Sequence, residues 1–210
     1  MEVLSHRGYW KTAQEKNQRV AFERSFDLGF GTETDIRDHC GRLVIAHDMP
    51  TGDEMSLPDM LDILGDRDLP LALNIKADGL GPALKAEMAR RPHLTRWFTF
   101  DMSGPELIRQ HRDGLPAFTR LSDHERAPVL GDQAGGVWLD AFDDDWFTPD
   151  DIRALLNRGQ AVCLVSPELH GRDPDAVWDM LGQAGLHDTP LMVCTDRPED
   201  LRAQLETTQR

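Results

Sequence analysis

The 210-residue chain has no cluster of lysine or arginine, no apolar run approaching a membrane span, and three cysteines without paired spacing. Its net charge is −14. A chain that acidic, without a basic patch, is a poor partner for nucleic acid or for an anionic membrane surface. The missing apolar run argues against stable membrane insertion. Cys40, Cys163 and Cys194 lie far apart, so neither a disulfide framework nor a structural zinc site is expected, and a reducing, cytoplasmic setting is the default. Met1-Glu2 leads straight into VLSHRG, which reads as a first strand, so no leader peptide is expected. No composition break, repeat or low-complexity tract divides the sequence. One domain over residues 1–210 is therefore expected, with 40% apolar and 29% charged residues.

What the sequence does hold is alternation. Strand patterns fall at 2–6, 30–37, 70–76, 96–101, 116–121, 135–140, 160–165 and 190–194, the second extended by a hairpin through Gly41 to His47. Helical patterns lie between them. In NQRVAFERSFDLG, Val20, Phe22 and Phe26 are expected to line one side, with Gly29 as the stop. GPALKAEMARR, SGPELIRQHRDG, TPDDIRALLNRG and DPDAVWDMLGQAG open on good caps or on proline in the first turn. Strands alternating with helices imply a parallel sheet. Eight of them in this length predict an α/β fold, a compact (β/α)8 TIM barrel, with function at the C-terminal ends of the strands.

Several polar side chains collect at those ends. From Phe30 to Arg37 the strand alternates, so Glu33 and Asp35 project from one face with Gly31 and Arg37. In 70–76, Leu71, Leu73 and Ile75 face the helices while Asn74 and Lys76 face the mouth. An inward carboxylate pair is costly unless it is solvated, paired or bound to a metal. A hard divalent cation such as Mg²⁺ or Ca²⁺ is the simplest resolution. His6 and His47 stand on either side in sequence and titrate near neutral pH, as an acid and a base require. Arg7 and Lys76 offer positive charge to a phosphate, although Arg7 could equally brace the barrel. Taken bare, Glu33 and Asp35 could instead be a surface strand paired with Arg37 or Lys16, and each histidine a backbone-bonded strand end. His39, His93, His111 and His187 read as surface or loop residues. His170, in SPELHGRD after the seventh strand, lies on the functional side. The run Asp143-Asp144-Asp145 reads as a solvated loop.

In order, SHRGYW, EKNQRVAFERSFDLGFGTETDIRD, GRLVIAHD, LALNIK, FTFD and VCTDRPEDL resemble the glycerophosphodiester phosphodiesterases of the phosphatidylinositol phospholipase C-like superfamily. The resemblance runs from residue 4 to about 201. It implies divalent-metal-dependent cleavage of a small or lipid-derived phosphodiester, with the metal on Glu33, Asp35 and the position of Asn74. His6 and His47 would be the catalytic pair, Arg7 and Lys76 would face phosphate, and Asn17 would hold the first loop. Glu15 is displaced by Lys16 and takes no role. The sequence departs from the family at Asn74, where an acidic ligand is usual, and in the 22 residues between Asp48 and Leu71, too few for the family's substrate-capping insertion. Hydrolysis and cyclisation to a lyase product both remain open. The other reading is a phosphate-binding or regulatory barrel that has lost catalysis through Asn74.

Overall fold

The structure, a computed structural model, describes residues 1–186 and 189–208, so His187 lies outside the described residues. In chain order its elements are β1 (Glu2–His6), α1 (Arg19–Asp27), β2 (Gly31–His39), β3 (Arg42–Ile45), α2 (Leu57–Leu64), β4 (Leu71–Ile75), α3 (Gly81–Ala89), β5 (Trp97–Phe100) and α4 (Gly104–Arg112). There follow β6 (Phe118–Leu121), β7 (Gly136–Leu139), α5 (Pro149–Asn157), β8 (Ala161–Val165), α6 (Asp175–Gln183), β9 (Leu191–Thr195) and α7 (Pro198–Thr208).

Eight parallel strands run in the order β5-β4-β2-β1-β9-β8-β7-β6. The seam between β5 and β6 is held by a single parallel bridge, Thr99 to Ala117, where the Thr99 N–H donates to the Pro116 carbonyl at 3.0 Å. Proline has no N–H to return, which thins the ladder there. β3 stands outside the ring, antiparallel to the far end of β2, with Ile36 opposite Ile45. The barrel expected from the sequence is thus present, with one difference. Residues 122–135 join β6 to β7 with no α-helix, only a 3₁₀ turn at Gly131–Gln133.

Side chains on the two faces of the strands feed separate cores, as the period of two requires. Leu4, Ala72, Phe98, Phe100, Phe118, Trp138, Cys163 and Cys194 fill the barrel interior. There Phe98 stacks on Phe118 and Phe100 on Trp138, each at 3.8 Å between centroids. The opposite faces bury Ile36, Leu71, Leu73 and Ile75 under α1 to α3, and Val137, Leu139, Val162, Leu164 and Val193 under α5 to α7. α1 corrects one expectation. It buries Ala21, Phe22, Ser25 and Phe26, while Val20 is exposed, so the buried stripe runs one position on from Val20. Among the described residues no helix is long and apolar enough to cross a membrane.

The close approach of β2 to the chain before β4 depends on Gly31. A Cβ there would lie 2.5 Å from the Pro70 carbonyl oxygen, which itself accepts from the Thr32 N–H. Gly31→Ala should therefore destabilise the fold by roughly 1–3 kcal/mol, the usual cost of overpacking. Urea denaturation measures this, and a wild-type midpoint would mean that the β2–β4 contact yields freely.

Candidate active site

The register of β1, β2 and β4 assembles the polar residues in two levels. His6 pairs with Glu33 and Asp35 pairs with Asn74. They sit directly above interior residues, Leu4 under His6 and Ala72 under Asn74, so all four side chains enter the mouth of the barrel. Glu33, Asp35 and Asn74 are buried.

The segment after β1 is folded tightly against β2. The Arg7 N–H donates to the Glu33 carbonyl at 2.9 Å, and Arg7, Gly8 and Asn17 all have positive φ, 58°, 78° and 60°. Gly8 is required twice over, because a Cβ would lie 2.8 Å from the Ala21 Cβ and a side chain is strained at that φ. Asn17 donates through Nδ2 to Asp35 Oδ2 at 2.9 Å and accepts from the Thr34 hydroxyl at 2.9 Å. Asn17 therefore ties the first loop to the carboxylate strand, as the resemblance implies.

His6 has two acidic neighbours. Its Nδ1 lies 2.7 Å from Asp196 Oδ1, and its Nε2 lies 3.9 Å from Glu33 Oε2. Asp196 follows β9, and its own N–H donates to Glu168 Oε1 at 3.0 Å. A carboxylate at Nδ1 fixes the tautomer and ring plane and leaves Nε2 facing the site. Asp196 has no assigned role in the sequence reading. Its signal there is the Thr-Asp-x-Pro closing motif.

Asp35 is surrounded by cations. Arg7 Nε lies 2.9 Å from Oδ2 and Lys76 Nζ lies 3.4 Å from Oδ1. The Arg7 Nε–H is nevertheless not aligned on an acceptor, so this contact is an ion pair and not a directed hydrogen bond. Lys76 also reaches Asp101 Oδ2 at 3.8 Å. Asp101, at the end of β5, takes Arg120 at 2.8 Å and a hydrogen bond from the Asn74 side chain. Burial pushes the Asp101 carboxyl above its usual range, against the pull of Arg120 and Lys76.

His47 stands apart. The Ala46 N–H donates to the Asp35 carbonyl at 3.0 Å, which ties its segment to the mouth, and Arg37 Nε holds the His47 carbonyl at 3.0 Å. Its ring is half exposed, with Nδ1 2.9 Å from the exposed Asp48. The structure brings His6, Arg7, Glu33, Asp35, Asn74 and Lys76 together and leaves His47 on the rim.

The buried set suits a hard cation. Asp35 Oδ1, with Lys76 Nζ at 3.4 Å, and Asn74 Oδ1 are buried oxygens that accept no hydrogen bond, and carboxylate and amide oxygens are the donor type that Mg²⁺ and Ca²⁺ take. Glu33 adds a second carboxylate whose charge is poorly housed. Burial, then repulsion from Asp35, raises its pKa to about 7, despite His6, Arg7 and Lys76. Asp123, His124 and Asp143 at the outer rim also bring ligand atoms within 4.8 Å of one another. That group is largely exposed and already employed. Although partial desolvation works the other way, the N–H groups of Asp143, Phe142 and Asp144 hold the Asp123 carboxyl down at about 2.

The Glu33 shift has a measurable sign. A carboxyl raised from its ordinary range to about 7 binds its proton more tightly folded than unfolded. Metal-free stability should then be highest below about pH 4.5 as far as this group is concerned, fall between there and pH 7, and level off above. Glu33→Gln removes this dependence, so in chelator the variant should be more stable than wild type at pH 8, by on the order of 1–3 kcal/mol, with a smaller gap at pH 5. Urea denaturation at the two pH values tests this. A gap that does not shrink toward pH 5 would deny the raised pKa.

No protein-family model and no curated protein sequence matches this chain. Solved structures do. A candidate glycerophosphodiester phosphodiesterase from Galdieria sulphuraria superposes with a TM-score of 0.75 at 16% identity, covering 98% of this chain and 97% of its own. The glycerophosphodiester phosphodiesterase from Agrobacterium tumefaciens str. C58 gives 0.70 at 18% identity, over 97% and 99%. A phosphodiesterase from Oleispira antarctica, solved with the product sn-glycerol-3-phosphate, gives 0.71 at 13% identity, over 98% and 97%. At these identities the likeness establishes the fold, and it agrees with the resemblance carried by the sequence motifs. The chain shares its barrel fold with these solved structures over nearly its whole length.

Proposed function

We propose that this protein is a divalent-metal-dependent phosphodiesterase acting on a small or lipid-derived phosphodiester. The observation that carries the reading is the buried Glu33–Asp35 pair, with Asp35 Oδ1 and the neighbouring Asn74 Oδ1 accepting no hydrogen bond and His6 held by Asp196 at its edge. The similar structures support it. Glu33, Asp35 and Asn74 would hold one Mg²⁺ or Ca²⁺, which would polarise a phosphoryl oxygen and offset the charge of the pair. Unpaired cysteines and the absence of a basic surface fit a cytoplasmic enzyme with no nucleic-acid partner.

The rest of the chemistry falls to side chains. His6 can take the proton of the attacking hydroxyl through Nε2, because Asp196 stabilises the imidazolium that results. His47, on the rim with Nδ1 held by Asp48, would protonate the departing oxygen. Arg7 and Lys76 offer positive charge to the phosphate oxygens from the side of Asp35. The attacking hydroxyl is water in a hydrolase and a neighbouring substrate hydroxyl in a cyclising lyase.

One observation favours a second reading. Asp35 is already balanced by Arg7, Lys76 and Asn17, a set that would hold the mouth together as a phosphate-binding barrel without an ion. Turnover of a generic aryl phosphodiester, in chelator and then with Mg²⁺ or Ca²⁺ restored, decides between them. Metal-restored turnover supports the enzyme. Phosphate binding without turnover supports the binder.

His6→Ala and His47→Ala should each lower turnover by roughly 10²–10⁴-fold, the range for a lost general acid or base, with folding unchanged by circular dichroism. A variant that keeps near-wild-type turnover removes that histidine from the mechanism.

Asn74→Asp should tighten divalent-cation binding, since a full negative charge replaces an amide oxygen at contact distance. Isothermal titration calorimetry reads this apart from activity. Unaltered affinity in a correctly folded variant would put Asn74 outside the coordination shell.

A further inference from the structure

The wall of the mouth facing the carboxylates carries a second histidine–carboxylate pair. Around the ring β7 lies four strands from β2 in either direction, so Asp140, just beyond β7, faces Glu33 and Asp35 across the opening. Asp140 is buried. Its Oδ1 takes the Ala141 N–H at 2.9 Å and lies 2.7 Å from His170 Nε2, on the 3₁₀ turn Pro167–His170 after β8. With Nε2 committed to Asp140, Nδ1 is the ring nitrogen left to accept or donate, and the ring is 23% exposed.

Phe142 completes the wall. Its ring lies 4.7 Å from His170 between centroids, and its backbone is fixed from another loop, the Asp123 carboxylate accepting from Phe142 N at 3.1 Å and Asp143 N at 2.7 Å. The helix-free connection of residues 122–135 supplies that anchor. An aromatic face beside one oriented imidazole nitrogen suits a short carbon chain bearing a hydroxyl.

We propose that His170, oriented by Asp140, is a specificity-determining residue whose Nδ1 hydrogen-bonds a hydroxyl on an organic substituent of the phosphodiester, with Phe142 packed against that substituent's carbons. This rests on the phosphodiesterase reading for the position of the phosphate, at the Arg7 and Lys76 side. The substituent then extends across the mouth to the β7–β8 wall. His170 moves no proton in the reaction.

Two probes with one leaving group isolate the contact: glyceryl p-nitrophenyl phosphate, which carries free hydroxyls, and methyl p-nitrophenyl phosphate, which has none. Wild type should prefer the glyceryl diester in kcat/KM. His170→Ala should lose roughly 5- to 10-fold of that preference, the usual effect of one neutral hydrogen bond, chiefly in KM, with the methyl diester unchanged. His170→Gln, which keeps a polar group without the ring, should recover part of it. Calorimetric binding of glyceryl phosphate against methyl phosphate, with Mg²⁺ present, reads the same preference without turnover. Wild type that turns over neither diester, yet shows a glyceryl preference in binding that His170→Ala removes, would sink the enzyme and leave the subsite standing. Turnover of both diesters with no glyceryl preference, or with the preference intact in folded His170→Ala, would overturn the subsite alone. Equal loss on both diesters would also overturn it and make His170 a structural or general residue. Failure of wild type to bind either monophosphate overturns it too.

Discussion

Two carboxylates on one strand face, two residues apart and both buried, set the terms for everything around them. Glu33 and Asp35 cannot avoid each other, because the period of two that puts Glu33 in the mouth puts Asp35 there as well. In a low-dielectric mouth, that repulsion must be met by opposite charge or by protons. The structure uses both means. Arg7, Lys76 and Asn17 converge on Asp35, while Glu33 is left to a raised pKa. The asymmetry matters, because Asp35 is the better-paired charge and Glu33 the one that would gain more from a cation.

The barrel makes that arrangement tolerable by being apolar and densely filled just below it. The Phe98–Phe118 and Phe100–Trp138 stacks plug the interior, so water reaches the polar layer only from the mouth. Above the plug, residues from different strands meet at fixed register, His6 beside Glu33 and Asp35 beside Asn74. Distant chain segments then lock the layer laterally. The Thr195 hydroxyl and Asp196 N–H both bond Glu168 Oε1, and this holds the carboxylate that orients His6. The polar layer is concentrated at strand ends because strand pairing there fixes backbone positions, while the loops beyond remain free to supply partners.

How much of this could be read beforehand depended on range. The alternation in residues 30–37 and 70–76 is local, so the inward set Glu33, Asp35, Asn74 and Lys76 was legible, as was the strand-helix alternation that implies a barrel. The His6–Asp196 contact spans 190 residues and leaves no periodic trace; only the short motif around Asp196 hinted at it. Val20 misled because a nine-residue helix with two phenylalanines is satisfied by more than one stripe, and packing against β2 chose the one through Ala21 and Ser25. The missing helix between β6 and β7 was also invisible, since a 3₁₀ turn and an irregular loop have no pattern to lack. His47 shows the limit of a motif, which names a residue without saying how exposed its ring will be. Asp143 to Asp145, read as solvated, are exposed, yet Asp143 and Asp145 are paired with His124 and Arg172.

The same range argument bears on how an anionic ligand reaches so acidic a protein. A net charge of −14 is spread over the surface, and at physiological ionic strength its field fades within about 8 Å. Arg7, Lys76 and Arg120 all lie at the mouth, each bonded to Asp35 or Asp101, so before any ligand arrives the cations are neutralised by the residues they flank. A cation bound at Glu33, Asp35 and Asn74 would change that balance, because it competes with Arg7 and Lys76 for the oxygens of Asp35 and frees part of their charge for a phosphate. Local attraction would then outweigh the global field only when the ion is present, which couples substrate binding to metal binding. If Asn74 stands at such an ion in place of a carboxylate, it would strengthen this coupling. One fewer negative charge at the ion would leave the loaded site more positive toward the phosphate, in exchange for weaker hold on the metal.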